Sequence, residues 1–468
     1  MRFKNLLKNI YYKSPKFVKK IYGYLPLRWK FGKAYFQEQE LIKKSYTWNN
    51  KQTKRFINEK LIEVVQYAYY HIPFYNKLYK EHNIDIKNFN GIKDMNKLPI
   101  INKNMIKNSN YSIKSDKTNK FNSYKTNTGG SSGSPFSFLL PSTHYYRLWA
   151  YYTDLWSRRC NYKFGDKILS FRGHKFDDKL FQLQPLYNFY LIDSYKLTKS
   201  NINKIISLIK KQNIKYIHGY PSNITNFFEL IGEELYNQFD GIFFVSEKLD
   251  KQKKEFIRKY TNAKFQPSYD QSEMTILASY GFSTDNYYFY PTFGYPEIVS
   301  NGKSITECGV KGELVATSFN NFIMPFIRYK TGDVSSWTEN SENVLNNFQS
   351  VSSIEGRVGE YIKINGKKIS VTGIIYGQHL PIFDFVQNIQ LKYDNNILYI
   401  YLVTKKEDIT ENKNKIESTK KIINEILNFK VKINFYLLKR PIKTNTGKAK
   451  ILLNQKEVNN YNGEIKKI

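Results

Sequence analysis

Residues 126–135 read TNTGGSSGSP. Three glycines let a backbone bend until several N–H groups face one anion, and the Ser and Thr hydroxyls around them add donors. That chemistry suits a phosphate. A Walker A loop would need Gly-Lys-Ser/Thr running straight into a helix, whereas Ser134-Pro135-Phe136 leads into a strand-like run. Gly129-Gly130-Ser131-Ser132-Gly133 also matches the G-x-S-x-G of a nucleophile elbow, which needs a helix directly after the serine. Pro135 argues against that helix, and His174, His218 and His379 stand in no telling context for a triad. A flexible surface loop is the third reading of these ten residues.

The other candidates fall where apolar runs end: HGYPS (218–222), VSEKL (245–249) and YDQSE (269–273). The elements around them alternate. KILSF (167–171), IKYIHGY (214–220), GIFFVS (241–246) and AKFQPSY (263–269) read as strands, and 201–213, PSNITNFFELIGEEL and DKQKKEFIRKY read as helices between them. Such alternation predicts βαβ units and a parallel sheet, with ligands bound beyond the carboxyl ends of the strands.

Earlier, 53–86 reads as helix stopped near Pro73. FNSYKT and FSFLL read as strands around the glycine loop. PSTHYYRLWAYYTDLW reads as a helix capped near Ser142 or Thr143. From about 286 to 335 short strands and turns follow. After IEGR (354–357) come a hairpin at YIKINGKKIS, a second at IQLKYDNNILYIYLV, a polar helix over 410–428 and a last strand, VKINFYLL. The expected fold is α/β. A large domain at 53–355 holds a parallel βαβ sheet and additional β-structure. A small α+β domain at 356–468 is joined to it by a segment holding Gly356 and Gly359, and a basic amphipathic arm occupies 1–52.

The 468 residues carry a net charge of +33. Surface lysine from a Lys-, Asn-, Ile- and Tyr-rich composition accounts for much of it, and no nucleic-acid motif accompanies it. Residues 1–37 stand apart, with ten Lys or Arg, no Asp or Glu, and interleaved apolar residues. Such a stretch suits an anionic membrane surface. No apolar run is long enough to cross a bilayer, and no signal peptide is read. Cys160 and Cys308 cannot build a disulfide framework. The expected location is cytoplasmic, with peripheral contact at the inner membrane face.

Taken in order, five motifs resemble those of the adenylate-forming enzymes, the superfamily of acyl-CoA synthetases and related ligases. They are Thr128–Pro135, Tyr269-Asp270-Gln271-Ser272-Glu273, Arg328-Tyr329-Lys330-Thr331-Gly332-Asp333, Gly356-Arg357-Val358-Gly359-Glu360 and Thr446-Gly447-Lys448. AYYHIPFYNKLY (68–79), KLPIINK (97–103), FFVSEKL (243–249), KGELVAT (311–317) and MPFIRYKTGD (324–333) look like the phenylacetate–CoA ligase branch, which includes CapK-like proteins of capsular polysaccharide clusters.

The resemblance implies ATP and Mg²⁺ as cofactors, a small carboxylic acid as substrate, and CoA or a sugar or lipid-linked glycan as acceptor. It implies that Thr128, Gly129, Gly130, Ser131, Ser132 and Gly133 hold phosphates. Tyr269 would stack on adenine, with Ser246 and Glu247 as the facing wall and Asp270, Gln271 and Ser272 beside the nucleotide. Glu273 would hold Mg²⁺. Asp333 would accept the ribose hydroxyls, Arg357 would contact ribose or phosphate at the hinge, and Lys448, with Lys450 as its rival, would bridge carboxylate and α-phosphate. Tyr220 and Ser222 would line the carboxylate end of the substrate pocket. Phe136, Asp270 and Glu360 depart from the family pattern, where Lys, Gly and Asp are usual. They leave open a degenerate nucleotide-binding or membrane-associated scaffold.

Overall fold

The computed structural model describes residues 31–468, except 128–136, 175, 177, 195, 356–360, 365–366, 372–379, 405–411, 428–430 and 445–448. The elements used below are numbered in chain order. Strands β1 (Ile168–His174), β2 (Phe189–Asp193), β3 (Tyr216–Gly219), β4 (Gly241–Phe244) and β5 (Lys264–Asp270) run parallel in the spatial order β2-β1-β3-β4-β5. Strand β6 (Leu277–Tyr280) turns back against β5, and antiparallel strands including β7 (Tyr329–Trp337) extend the sheet to thirteen.

The helices of the large domain include α1 (Lys33–Ser45), α2 (Asn50–His71), α3 (His144–Cys160), α4 (Ile202–Gln212), α5 (Pro221–Ile231) and α6 (Lys251–Arg258). In α4 the buried residues are Ile202, Ile205, Ile206 and Ile209, one face of a helix at 3.6-residue spacing. Helix α2 begins with a capping box between Asn49 and Gln52. It ends at His71 because Pro73 opens a new short helix, Pro73–Glu81, at a position that needs no N–H. Thr143 is the N-cap of α3, but its side chain makes no capping bond.

The end of the basic stretch is part of this domain. Phe31, Tyr35 and Ile42 are buried in one core with Trp149 and Trp156 of α3. Tyr35 donates to Thr153 at 3.2 Å, and Tyr46 donates to the half-buried Asp154. These side chains are therefore occupied by protein rather than free to enter a lipid surface. Residues 1–30 of the arm lie outside the described residues.

In the small domain, β8 (Val386–Asp394) and β9 (Ile397–Thr404) form the expected hairpin, β10 (Lys432–Leu438) runs parallel to β9, and Ile465–Lys467 closes the edge. Helix α7 (Lys413–Ile426) packs Ile416 and Ile423 on that sheet, and the short α8 (Gln455–Asn459) follows. No helix among the described residues is long and apolar enough to cross a membrane.

Arg328 belongs to the motif ending in Asp333, yet it is a structural tie. Its side chain and that of Glu297 are each 1% exposed, with their nearest charged atoms 3.0 Å apart. The guanidinium also donates to Leu98 O at 2.7 Å and Asn96 Oδ1 at 3.3 Å, fastening the N-terminal helical segment to the sheet. Arg328→Met leaves Glu297 buried without its cation and should destabilise the large domain by about 3–5 kcal/mol in urea titration. Adding Glu297→Leu should recover most of that loss. A single change costing under about 1 kcal/mol would contradict the assignment.

Candidate active site

The carboxyl ends of the parallel strands gather the polar residues singled out in the sequence. At the end of β5, Tyr269 donates its hydroxyl to Asp333 Oδ2 at 2.6 Å, linking β5 to β7. Burial, and then the Asp333 carboxylate, push the Tyr269 phenol well above its usual range, so it stays a donor. Asp333 follows Gly332, whose φ of 81° is a left-handed turn that glycine adopts without strain. Its N–H donates to Thr331 Oγ1 at 3.1 Å. Asp270 accepts from Tyr152 of α3 at 2.5 Å, which turns the unexpected carboxylate toward a helix. Gln271 Oε1 accepts from Thr275 at 2.7 Å, and Gln271 and Met274 bracket the tight turn that carries Ser272 and Glu273. Glu273 is buried and accepts from Tyr329 at 2.9 Å.

At the ends of β3 and β4 the arrangement is different. Gly219 passes so close to β1 that a Cβ would meet Phe171 O at 2.5 Å. Tyr220 is buried beside Arg172, and Ser222 lies in the first turn of α5. Ser246 is exposed at φ 62°, a conformation that L-residues seldom adopt and that recurs at functional sites. The neighbouring Glu247 takes the Ser222 N–H on Oε2 and the Ser222 hydroxyl on Oε1, each at 3.1 Å. Glu247 Oε1 also accepts the Ala449 N–H of the small domain at 3.1 Å. Beside it, Lys443 of the small domain donates to Asn223 Oδ1. His218 is buried, 5.4 Å ring to ring from Trp156, and burial holds it neutral, well below its ordinary value.

The small-domain segment that makes these contacts holds the C-terminal motif. Lys443 and Ala449 pair as an antiparallel bridge, and both touch the strand ends of the large domain. Lys448 lies outside the described residues, as do Thr128, Gly129, Gly130, Ser131, Ser132, Gly133 and Arg357. Its rival is accounted for: Lys450 is paired with Glu457 of α8 at 2.7 Å, inside its own domain. The strands flanking the glycine loop, Ser123–Asn127 and Ser137–Pro141, pair antiparallel from Asn127↔Ser137. That hairpin corrects the hydrolase alternative, because a nucleophile elbow passes from strand to helix.

Sequence reasoning missed Tyr152, Asn223 and Lys443. Asn223 follows Ser222 directly, and Lys443 precedes Lys448 by five positions, so proximity to quoted motifs was the available signal. Among the described residues no group of three or more His, Cys, Asp and Glu could hold a metal ion. Mg²⁺ shared with substrate phosphates needs only one or two protein carboxylates, so Glu273 fits as its ligand.

No family model matches this chain, and no curated protein matches it in sequence. In three dimensions it is similar to 2-hydroxyisobutyryl-CoA ligase. In the postadenylation state with R3-HIB-AMP, that ligase gives a TM-score of 0.64 at 15% identity, covering 86% of this chain and 90% of that one. In the thioesterification state with 2-HIB-AMP and CoA, the score is 0.57 at 15% identity, covering 87% and 90%. The chain shares that mixed α/β fold over most of its length.

Burial lowers the Lys443 ammonium from 10.5 to about 8, against the pull of Glu247 and with the help of Arg440. Between these two values the docked lysine binds fewer protons than a solvated one. Docking should therefore strengthen as pH rises above about 8 and weaken as pH falls through it. Proteolytic protection of the 439–450 segment should be greater at about pH 9.5 than at about pH 7, and Lys443→Met should remove the difference. Protection that is independent of pH in the unaltered protein would contradict this.

Proposed function

We propose that the chain is an ATP- and Mg²⁺-dependent adenylate-forming ligase. It joins a carboxylic acid to the α-phosphate of ATP, releases pyrophosphate, and passes the acyl group to CoA or another acceptor. One observation carries the reading. On either side of Thr446, Gly447 and Lys448 in the sequence, Lys443 donates to Asn223 and the Ala449 N–H donates to Glu247, at the strand ends that also carry Tyr269, Glu273 and Asp333. The fold it shares belongs to a ligase solved with an acyl-AMP and with CoA, which supports the same two-step chemistry here.

The barrier is electrostatic, because an anionic carboxylate must approach an anionic phosphate. Positioning and preplaced positive charge lower it. Lys448 would bridge the two reacting groups, since Lys450 is held by Glu457. Asp333, oriented by Tyr269, offers acceptor oxygens for a vicinal diol such as ribose. Glu273 would hold Mg²⁺, which supplies charge to the leaving pyrophosphate. The 128–134 loop would donate N–H groups to the phosphates. Tyr220 and Ser222, at the start of α5, would face the acid.

The ordered motifs favour the phenylacetate–CoA ligase and CapK-like branch and CoA as the first acceptor. The cationic residues 1–37 favour, as a second reading, a sugar or lipid-linked glycan acceptor in surface-polysaccharide assembly at the inner membrane face.

Pyrophosphate release from ATP and Mg²⁺ should depend on one acid within a panel of aryl, fatty, hydroxy and amino acids. Lys448→Ala should reduce it by about a hundredfold or more, while Lys450→Ala stays within about threefold. Equal losses in the two variants, or acid-independent release, would overturn the assignment.

A further inference from the structure

We propose that Arg172 selects the acid, and that the substrate of this chain carries a second carboxylate for it. The inference rests on the ligase reading and narrows its substrate class. Strands β1 and β3 pair with Ser170 opposite His218 and Phe171 opposite Gly219. Side chains alternate along a strand, so Ser170 and Arg172 share a face with His218, and Tyr220 follows His218 by two positions. Leu169, Phe171 and Ile217 belong to the opposite core, with α4 and α5. On the first face the His218 ring lies 5.4 Å from Trp156 and 5.7 Å from Phe189. Tyr152, one turn before Trp156 on α3, stacks on that indole at 5.6 Å. The face is aromatic beneath α3 and turns cationic at the strand end, where Arg172 is exposed beside the Tyr220 phenol.

Its neighbours carry no competing charge. Burial, and then the Arg172 charge, lower His174 and His218 below their ordinary value, so both imidazoles stay neutral. The carboxylates close by are engaged by other donors. Asp193 takes the Phe176 N–H at 2.9 Å, Asp270 takes the Tyr152 hydroxyl at 2.5 Å, and Glu247 takes Ser222 and Ala449. Among the described residues no carboxylate forms an ion pair with Arg172. A solvated surface arginine needs no partner, but this one stands at the carboxyl edge of a parallel sheet, where ligands bind. Its planar fork suits a carboxylate through two parallel N–H bonds. A monocarboxylic acid leaves that fork empty. A dicarboxylic acid fills it and still presents its other carboxylate to ATP.

The test adds malonate, succinate and glutarate to the acid panel, each beside the monocarboxylate of the same carbon count. In acid-dependent ATP–pyrophosphate exchange, the best dicarboxylate should exceed its monocarboxylate in kcat/KM by about a hundredfold. Arg172→Met should collapse that ratio to within about threefold, and Arg172→Lys should restore part of it. A ratio unchanged in Arg172→Met, or a monocarboxylate preferred by the unaltered protein, overturns the proposal. So does a raised KM for ATP or CoA in Arg172→Met, which would make Arg172 a phosphate contact. Titration calorimetry without ATP gives a readout independent of turnover. One of the three dicarboxylates should bind the unaltered protein, and Arg172→Met should weaken it by about thirtyfold. Such binding in a protein that catalyses no exchange would keep Arg172 as a dicarboxylate site and overturn the ligase reading alone. Exchange driven by other acids, with no dicarboxylate bound, would overturn the substrate class alone.

Discussion

A carboxylate at the end of a parallel strand serves two domains here. Glu247 leaves β4, takes two hydrogen bonds from Ser222 at the start of α5, and takes a third from Ala449 of the small domain. Parallel strands make this possible, because every βαβ unit delivers its loop to the same edge of the sheet. Tyr220 and Ser222 follow β3, Glu247 follows β4, and Tyr269 and Glu273 lie at the end of β5, so the three strand ends bring them to one face. The small domain adds Lys443 and Ala449 to that face. The chemistry proposed for the site needs such an arrangement, in which fixed groups await an anionic reaction and one cationic loop is brought to them.

Carboxylates at this face and on α3 are met by phenols. Asp270 is met by Tyr152, Asp333 by Tyr269, Glu273 by Tyr329 and Asp154 by Tyr46 and Tyr290. Phenols are suited to this work, since they donate one bond while adding a ring to the core. Burial pushes Tyr152, Tyr269 and Tyr290 well above their ordinary range, so each remains a donor.

The alternation of apolar runs and the turn residues between them made the parallel sheet legible in the sequence, because strand and helix periods differ and βαβ units repeat. The strand-end segments were legible for the same reason. What could not be read was pairing across distance. Arg328 stands in a motif beside Tyr329, and only the fold reveals that it is buried against Glu297 and Leu98. Lys443 is one of many basic residues, and its burial depends on a neighbouring domain. Residues 1–37 read as a membrane-surface stretch, yet Phe31 and Tyr35 within it pack against α3.

The most direct test of an acyl-adenylate is the fate of an oxygen atom. If the carboxylate attacks the α-phosphorus and pyrophosphate leaves, later cleavage of the acyl C–O bond leaves one carboxylate oxygen on AMP. An acid labelled with heavy oxygen in both carboxyl positions, turned over with ATP, Mg²⁺ and CoA, should give AMP carrying one labelled oxygen, detected by mass spectrometry. Turnover of ATP with no label in AMP would contradict the account, because the carboxylate would then never have been bonded to the α-phosphate.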